Sequence, residues 1–270
     1  MLSVIITHHQ TPVLLKLCLK GIEQTLASKR IKREILVVDS QADRKAQQDI
    51  QELFPKVRFI SFTEYVGYAK IVNAGLKQAQ GDHILILNAD IIVLQDAIEK
   101  MIAFIQQHPQ VGIVGPKLLT FTNQTQESCF RRPDFWSFLA FIMARRTIFG
   151  KSVWGQKVLN QYLLKPYDLG IAHWPVDWLQ GSAMMVNKQA FQQVGPLDER
   201  YFMYFEDADW CQRFWLRGFE VVYLPQAQMA HYYYRASRKW GGLLDIILNK
   251  YTRLHISSAL KYFLKWRKIA

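Results

Sequence analysis

The sequence is poor in cysteine and has no long hydrophobic run. Its 270 residues include three cysteines, Cys18, Cys129 and Cys211, whose spacing matches no metal-binding motif. Their odd number favours buried thiols in a reducing compartment over a disulfide framework. No run of about 18 apolar residues occurs, so no transmembrane helix is predicted. The first residues, 1–6, lack the basic start of a signal peptide and are typical of a strand, so we expect a cytoplasmic protein.

Two common phosphate-binding motifs are also missing. No G-x-G-x-x-G follows the first predicted strand, and no G-x-x-x-x-G-K-[ST] occurs in the chain, so neither a dinucleotide fingerprint nor a P-loop is supported. Acidic residues are scarce beside basic ones, and the net charge is +12. The excess is concentrated in residues 231–270, which hold nine Lys or Arg against one acid, Asp245. A nucleic-acid-binding module would need basic residues across the fold, so no nucleic-acid partner is expected.

The basic C-terminal segment, 236–270, also carries apolar residues at helical spacing. They are Ile247, Tyr251, Leu254, Leu260, Phe263 and Leu264. Basic and apolar residues combined in this way predict an amphipathic helical tail that lies on a membrane surface. The alternative is a final helix that packs on the core and leaves a basic face in solvent. A second apolar stretch, 135–149, is too short to span a bilayer and is either a core helix or a flap that faces lipid or acceptor.

Short apolar runs alternate with helical patterns along the first half of the chain. Strands are predicted at 4–7, 34–39, 57–61, 84–87 and 111–114, and helices at 14–22, 43–53, 69–79 and 95–107. Further along, a helix is predicted at 207–217 and a strand at 220–224. Strands that are apolar throughout, with helices between them, predict an α/β fold with a mostly parallel central sheet covered on both faces.

Three carboxylates stand within four positions in the segment Glu206-Asp207-Ala208-Asp209, between Phe205 and Trp210. Neighbouring acids raise each other's pKa, and apolar neighbours add a cost of desolvation. Such a cluster suits proton abstraction or metal binding. The alternative is a helix N-terminus, where acids complement the helix dipole.

Polar residues also follow three of the predicted strands. Thr7-His8, Asp39 and Asn88-Ala89-Asp90 each stand where an apolar run ends. Ligands of open α/β sheets bind at the carboxyl ends of the strands. The sequence therefore predicts a second acidic site at this edge of the sheet.

These motifs, in this order, resemble those of the family 2 glycosyltransferases, most closely the bacterial rhamnosyltransferase-like branch. The similarity covers residues 2–235. In the first half it is carried by Ser3-Val4-Ile5-Ile6-Thr7, Val37-Val38-Asp39-Ser40, Gly67-Tyr68-Ala69, Asn73-Ala74-Gly75 and Leu87-Asn88-Ala89-Asp90. In the second half it is carried by Trp178-Leu179-Gln180-Gly181-Ser182, Val194-Gly195-Pro196-Leu197-Asp198-Glu199, Phe205-Glu206-Asp207-Ala208-Asp209 and His231.

The resemblance implies a GT-A fold, with a nucleotide-sugar-binding half at 1–115 and an acceptor-binding, catalytic half at 116–235. It implies five donor-binding residues: Thr7 and Asp39 at the base, Gly67 and Asn73 under the ribose and diphosphate, and Asn88. Asn88-Ala89-Asp90 is similar to the family's D-x-D motif, with Asn in place of the first Asp. Asp90, with His231, would hold Mg²⁺ or Mn²⁺.

The resemblance also makes Asp207 the catalytic base, with Glu206 as the second choice. Trp178 and Trp210 would offer flat faces to the acceptor sugar, and Gly181 would let it approach. The implied activity is inverting transfer of a sugar, from dTDP-rhamnose or a UDP-hexose, to a lipid-linked glycan of the cell envelope, at the cytoplasmic face of the inner membrane.

Two other functions remain open on the sequence alone. A nucleotidyltransferase would also bind a nucleotide and metal at strand ends, but it should carry a basic, Gly-rich loop after the first strand, which segment 7–12 lacks. A non-catalytic sugar-nucleotide-binding protein would not need the acids at Asp90, Glu206 and Asp207.

Overall fold

The computed structural model describes residues 1–27, 31–164, 172–232 and 249–267. The strands are β1 (Leu2–His8), β2 (Arg33–Ser40), β3 (Val57–Phe62), β4 (His83–Asn88), β5 (Ile91–Val93), β6 (Val111–Leu119), β7 (Cys129–Phe130), β8 (Trp174–Pro175), β9 (Trp178–Leu179), β10 (Ala183–Asn187) and β11 (Glu220–His231). The helices are α1 (Pro12–Leu26), α2 (Arg44–Leu53), α3 (Tyr68–Gln78), α4 (Ala97–Gln107), α5 (Phe135–Arg146), α6 (Val153–Tyr162), α7 (Lys188–Val194), α8 (Glu206–Leu216) and α9 (Lys250–Trp266). A short 3-10 helix, Ile148–Lys151, joins α5 to α6.

Nine strands of the described residues form one sheet in the order β3-β2-β1-β4-β10-β6-β11-β5, with β8 paired to β11. Strands β1 to β4 are parallel, and β10 enters antiparallel between β4 and β6. The mixed α/β architecture with a mostly parallel sheet confirms the predicted fold class. The insertion of β10 beside β4 brings the segment just before it, 180–182, to the polar end of β4.

Apolar side chains cover both faces of the sheet, as the continuous apolar strands require. One face packs against α1, α2 and α4 through residues such as Leu19, Ile50 and Met101. The other packs against α3, α7 and α8 through residues such as Val72 and Phe214. The candidate active site lies at the carboxyl ends of the central strands.

Segment 135–149 is a helix with two different sides. Phe141 and Ala144 of α5 are buried, and Phe141 stacks on Tyr162 of α6 with ring centroids 4.1 Å apart. Phe135, Trp136, Leu139 and Met143 are exposed. The stretch is therefore half of a helical hairpin whose other side is apolar and uncovered by the described residues.

Helix α9 packs on the protein body. Tyr262 and Ala259 are buried against Tyr201, Phe205 and Ala208. Lys265 Nζ lies 2.6 Å from Asp209 Oδ1, and the Trp266 indole N–H donates to the same oxygen at 3.0 Å. The part of the tail at 233–248 and 268–270 lies outside the described residues. None of the helices in the described ranges is long and apolar enough to cross a membrane.

Candidate active site

The polar ends of the central strands come together as predicted from their positions in the sequence. Thr7, at the end of β1, donates from its hydroxyl to Asn88 Oδ1 at 3.0 Å. The backbone N–H of Asn88 donates to the Ser182 carbonyl at 2.9 Å. This second bond ties β4 to the segment that enters β10. The side chains of Thr7 and Asn88 are thus in direct contact at the ends of neighbouring strands. Their donor-binding role stays a prediction.

Asp39 lies one strand further along the edge and is fully buried. The backbone N–H of Thr11 donates to His8 Nε2 at 3.1 Å, so the ring proton is on Nδ1, and it donates to Asp39 Oδ1 at 2.8 Å. Gln47 Nε2 donates to Asp39 Oδ2 at 2.8 Å. Because a carboxylate has about four acceptor positions, Asp39 keeps capacity for the predicted base contact.

Asp90 and His231 meet where β11 pairs with β5. Asp90 Oδ1 lies 3.5 Å from His231 Nε2 and makes no hydrogen bond among the described residues, although the atom is buried. Gln126 Nε2 donates to Gln180 Oε1 at 3.0 Å, which leaves Gln126 Oε1 to accept from His231 Nδ1 at 2.8 Å. This chain of side chains puts a proton on Nδ1 of His231 and turns Nε2 toward Asp90.

The donor set fits a hard divalent cation. A carboxylate oxygen and an imidazole nitrogen converge. The other ring nitrogen donates to an amide carbonyl, and a hydrogen bond of this kind orients metal-binding histidines. Mg²⁺ is commonly held by one or two carboxylates together with substrate phosphates. No group of three or more His, Cys, Asp or Glu side chains in the described ranges forms a complete metal site. The remaining ligands would have to come from a bound diphosphate.

The acidic segment begins helix α8 in an unusual backbone conformation. Tyr204 and Phe205 have φ angles of 72° and 67°, the left-handed region that non-glycine residues rarely adopt. Phe205 is held there by packing against Phe138, Tyr262 and other rings. Such strain persists only where the surroundings determine it, and it is found often at functional sites. Here it places Glu206 and Asp207 at the first turn of α8.

Burial perturbs both of these carboxyl groups, and to different extents. Burial raises the pKa of Asp207 to about 6, opposed by hydrogen bonds from the Gly181 and Ala208 N–H groups at 2.9 and 2.8 Å. Burial, followed by the charge of Asp207, raises the pKa of Glu206 well above its ordinary value. Glu206 Oε2 has no hydrogen-bond partner among the described residues. Glu206 is therefore the group that favours the protonated form and Asp207 the available base, since environments that push two pKa values apart define the two roles.

Tyr68 joins the two halves of the site, and the sequence reasoning missed it. Its hydroxyl donates to the Gly181 carbonyl, while the Gly181 N–H donates to Asp207. Burial, and then the charges of Glu206, Asp207 and Asp90, raise the pKa of the Tyr68 phenol well above its ordinary value. Asp90 and Asp207 thus both act on one hydroxyl. The signal was its place inside the Gly67-Tyr68-Ala69 motif, of which only the glycine was assigned a role.

The two tryptophans predicted to contact the acceptor lie in different environments. Trp178 packs one face on Phe130, with ring centroids 4.3 Å apart, and lines a cavity of about 250 Å³ with Ala208 and Trp215. Its acceptor role stays a prediction. The predicted acceptor role of Trp210 is wrong. Its side chain is fully buried, and its indole N–H donates to the Gly195 carbonyl at 2.9 Å. It belongs to the core and offers no face to a sugar.

The three remaining predicted residues make close contacts within the protein. A Cβ at Gly67 would lie 2.5 Å from the Phe202 carbonyl oxygen, and one at Gly181 would lie 3.3 Å from Asp207 Cβ. Gly67 therefore permits close backbone approach between the halves, and Gly181 leaves room for the Asp207 side chain beside it. Asn73 donates from Nδ2 to the Leu197 carbonyl and to Glu199, both at 2.9 Å. These bonds give Asn73 a structural role, and its donor contact stays a prediction.

Comparison with known proteins agrees with this architecture. A mannosyltransferase from Pyrobaculum calidifontis, solved with GDP-Man and Mn²⁺, superposes with a TM-score of 0.56 at 18% identity, over 85% of this chain and 56% of that one. GalNAc-T7, solved with UDP, GalNAc and Mn²⁺, gives a TM-score of 0.63 at 15% identity, over 86% and 44%. This chain spans about half the length of these structures. The fold is that of the GT-A glycosyltransferases.

The sequence comparison is more specific. The family model "Glycosyl transferase family 2" matches residues 3–165, and the chain belongs to this family of glycosyltransferases. N-acetylglucosaminyl-diphospho-decaprenol L-rhamnosyltransferase of Mycobacterium tuberculosis H37Rv is 27% identical over 231 residues, which cover 77% of this chain and 69% of the relative. Rhamnosyltransferase WbbL of Escherichia coli K12 is 27% identical over 202 residues, which cover 71% and 65%.

Proposed function

We propose that the protein transfers a sugar from a nucleotide sugar to a lipid-linked glycan, with inversion at the anomeric carbon. The observation that carries the proposal is the site at the start of α8. There Asp207, whose pKa burial raises to about 6, accepts from the Gly181 N–H, and the next residue, Ser182, accepts from the Asn88 N–H at the strand edge that carries Asp90. A base with a pKa near the working pH is suited to proton abstraction from a hydroxyl group.

In the proposed reaction Asp207 takes the proton of an acceptor hydroxyl as its oxygen attacks the anomeric carbon of the donor. The new bond to the acceptor forms while the bond to the diphosphate breaks, and the nucleoside diphosphate leaves with the electron pair. Asp90 and His231 would hold Mg²⁺ or Mn²⁺, and such an ion neutralises charge on the leaving diphosphate. Glu206, as a neutral acid, keeps the buried pair at a single negative charge.

We propose dTDP-rhamnose as the donor, with a UDP-hexose as the other candidate. Support comes from two relatives named as rhamnosyltransferases. Asp39 would accept a hydrogen bond from the imide N–H of a uracil or thymine ring, with Thr7 beside it. Gly67, Asn73 and Asn88 complete the proposed donor site.

For the acceptor we propose a glycan on a polyprenyl diphosphate carrier, reached from the cytoplasmic face of the inner membrane. One relative's name specifies such a diphospho-decaprenol acceptor. Trp178 and Gly181 would contact the acceptor sugar. Helix α9 supports membrane docking through Ile256, Leu260 and Leu264, exposed apolar residues four positions apart that form one stripe. Exposed apolar patches of this kind mark interaction surfaces.

Thermal denaturation with a panel of nucleotide sugars tests the donor. With Mn²⁺, dTDP-rhamnose at 100 times its Kd should add about 2.7 kcal/mol to the free energy of unfolding. EDTA should remove most of the stabilisation. Transfer to a synthetic lipid-linked acceptor then tests the activity. Stabilisation by nucleoside triphosphates with pyrophosphate release would indicate a nucleotidyltransferase, and binding without transfer to any acceptor would indicate a non-catalytic protein.

Vesicle sedimentation tests the membrane contact. Leu260→Ser with Leu264→Ser should reduce the fraction that sediments with anionic vesicles. Leu53→Ser is the matched control, because Leu53 is as exposed as these residues but lies at the end of α2. Equal sedimentation of all variants would contradict the assignment of α9.

A further inference from the structure

Between Asp134 and Asp168 the sequence contains no acidic residue. Residues 135–167 include five Lys or Arg, together with Phe135, Trp136, Phe149, Trp154 and further aromatic residues. Most of this segment forms the hairpin of α5, the 3-10 helix and α6. A folded surface that is basic and aromatic but free of carboxylates favours anionic ligands that carry apolar groups.

Two of these cations, Lys151 and Lys157, meet Arg131 at one open cavity on the surface of the hairpin. The cavity, of about 640 Å³, is lined by Arg131, Lys151, Val153, Gln156, Lys157, Asn160 and Gln161. Its lining has three positive charges and three side-chain amides, and no carboxylate. Several lysine and arginine donors around one space are the usual means of binding phosphate oxygens.

Exposed apolar side chains accompany the cavity: Val153 lines it, and Trp154 is the next residue along the chain. Val153 is 86% exposed and Trp154 72% exposed, and Lys157 Nζ lies 5.9 Å from the centre of the Trp154 ring. Trp136, at the start of α5, is 74% exposed. Tryptophan is enriched where one side of a surface meets lipid and the other meets water. The ligand suggested by this arrangement is an anionic head joined to a hydrocarbon chain.

The cavity is connected to the catalytic carboxylate through short contacts. The Arg131 N–H donates to the Tyr162 carbonyl at 3.0 Å, and the Trp178 indole N–H donates to the Arg131 carbonyl at 3.0 Å. Trp178 is three residues before Gly181, a span of at most about 10 Å, and Gly181 donates to Asp207. The charge of Asp207 also contributes to the raised pKa of Tyr162. These contacts join Arg131, which lines the cavity, to the segment that holds Asp207.

We propose that the cavity formed by Arg131, Lys151 and Lys157 binds the diphosphate of the lipid-linked acceptor, and that Trp154 and Val153 contact the first part of its hydrocarbon chain. This inference rests on the proposed function for the identity of the acceptor. The site is separate from the Asp90–His231 pair, which serves the donor diphosphate. It would hold the acceptor at two ends, with its hydroxyl at Asp207 and its diphosphate in the hairpin.

Binding of farnesyl diphosphate, a prenyl diphosphate without a sugar, tests the site directly. Calorimetry is done on the full chain in EDTA and saturating dTDP, so that the donor site and metal chelation do not contribute. The double variant Lys151→Glu, Lys157→Glu should bind at least tenfold more weakly than the wild type. The matched control is Lys20→Glu, Lys100→Glu, which reverses two exposed helical lysines on α1 and α4, and it should bind as the wild type does.

Three outcomes would overturn the proposal. One is equal binding by the double variant and its control. A second is binding of inorganic pyrophosphate as tight as that of farnesyl diphosphate, which would mean an anion site with no lipid contact. A third is loss of binding to phosphatidylglycerol vesicles with unchanged binding of farnesyl diphosphate, which would mean a general phospholipid surface. Loss of farnesyl diphosphate binding alone supports the proposal.

A kinetic measurement separates this inference from the proposed function. The double variant should raise KM for a lipid-linked acceptor at least tenfold, while stabilisation by dTDP-rhamnose with Mn²⁺ stays as in the wild type. If the wild type transfers no sugar, the proposed function fails, yet the binding measurement still stands by itself. If the wild type is active and both variants have the same KM, the cavity assignment fails and the proposed function survives.

Discussion

The donor side and the acceptor side of the site hold their buried carboxyl groups in different ways. On the donor side, Asp39 is buried with hydrogen bonds from His8 and Gln47, and Thr7 bonds to Asn88. On the acceptor side, Glu206 is buried with an oxygen that has no partner among the described residues, and it follows two residues with left-handed backbone. Apart from Asp90, whose buried Oδ1 has no hydrogen bond among the described residues, the donor side is built of satisfied polar groups on strand ends. The acceptor side keeps a strained backbone and a desolvated acid.

The comparison separates a carboxylate suited to binding from a carboxylate suited to proton transfer. A satisfied carboxylate such as Asp39 is suited to recognition, because its hydrogen bonds fix its position. A desolvated carboxylate such as Asp207 is a stronger base, because the protein disfavours its charged form. The strain at Tyr204 and Phe205 is offset by aromatic packing from α5 and α9, so the acceptor side depends on distant parts of the chain.

The largest expected effect separates the two carboxyl groups at the start of α8. Asp207→Asn should lower kcat by about 10²–10⁴-fold, the usual contribution of a general base. Glu206→Gln should lower it less than about tenfold, because an amide replaces a carboxyl group whose raised pKa favours the neutral form. Steady-state transfer assays measure both, and unchanged dTDP binding shows that each variant is folded. Equal losses in the two variants would contradict the assignment of Asp207 as the base.

The next effect concerns the partner of His231 at the donor side. Gln126→Leu removes the acceptor that fixes the His231 ring, so Mn²⁺ should bind about 10–100-fold more weakly. Gln124→Leu is the control, because Gln124 lies two residues away with an exposed side chain. Electron paramagnetic resonance titration of Mn²⁺ in the presence of dTDP measures the affinity without requiring turnover. If Gln126→Leu leaves the Mn²⁺ affinity unchanged, the Gln126–His231 hydrogen bond does not orient the His231 ring for metal binding.

Much of this arrangement could be predicted from the sequence. Continuous apolar runs predicted the strands, and the residues that end them, Thr7, Asp39 and Asp90, were found at one sheet edge because parallel strands present their carboxyl ends together. The acidic segment stood out because carboxylates among aromatic residues are rarely used for packing.

The rest depends on contacts that local sequence does not encode. Trp210 was predicted at the acceptor, but its side chain packs in the core against Phe191 and Phe214. The partners of Asn73 are 124 and 126 positions away. Tyr68 and Gln126 gain their roles only from the pairing of β10 and β11 with the first half of the chain. No periodicity or spacing indicates those hydroxyl and amide contacts.

A smaller effect follows from the raised pKa of Asp207. Its folded-state pKa of about 6 lies above the ordinary value, so the base is protonated and inactive below pH 6. We expect kcat/KM to fall about tenfold for each pH unit below 6 and to be level from pH 7 to 8. Stability has the opposite pH dependence: the native state binds more protons than the unfolded chain between about pH 4 and 6, so this group's contribution decreases as pH rises through that window. If kcat/KM instead began to fall only near pH 4, the base would be a carboxyl group with an unperturbed pKa.

The smallest effect tests whether α9 is part of the acceptor side. Trp266→Phe keeps the ring but removes the indole N–H that donates to the buried carboxylate of Asp209. A hydrogen bond to a charged group contributes about 1.5–3 kcal/mol, and urea denaturation should show a loss in this range. Leu260→Ala, on the exposed stripe of the same helix, should change the free energy of unfolding by less than about 0.5 kcal/mol. If both variants were neutral, α9 would be a separate appendage, and the strained turn at Phe205 would have to be held by α5 and the rest of the body.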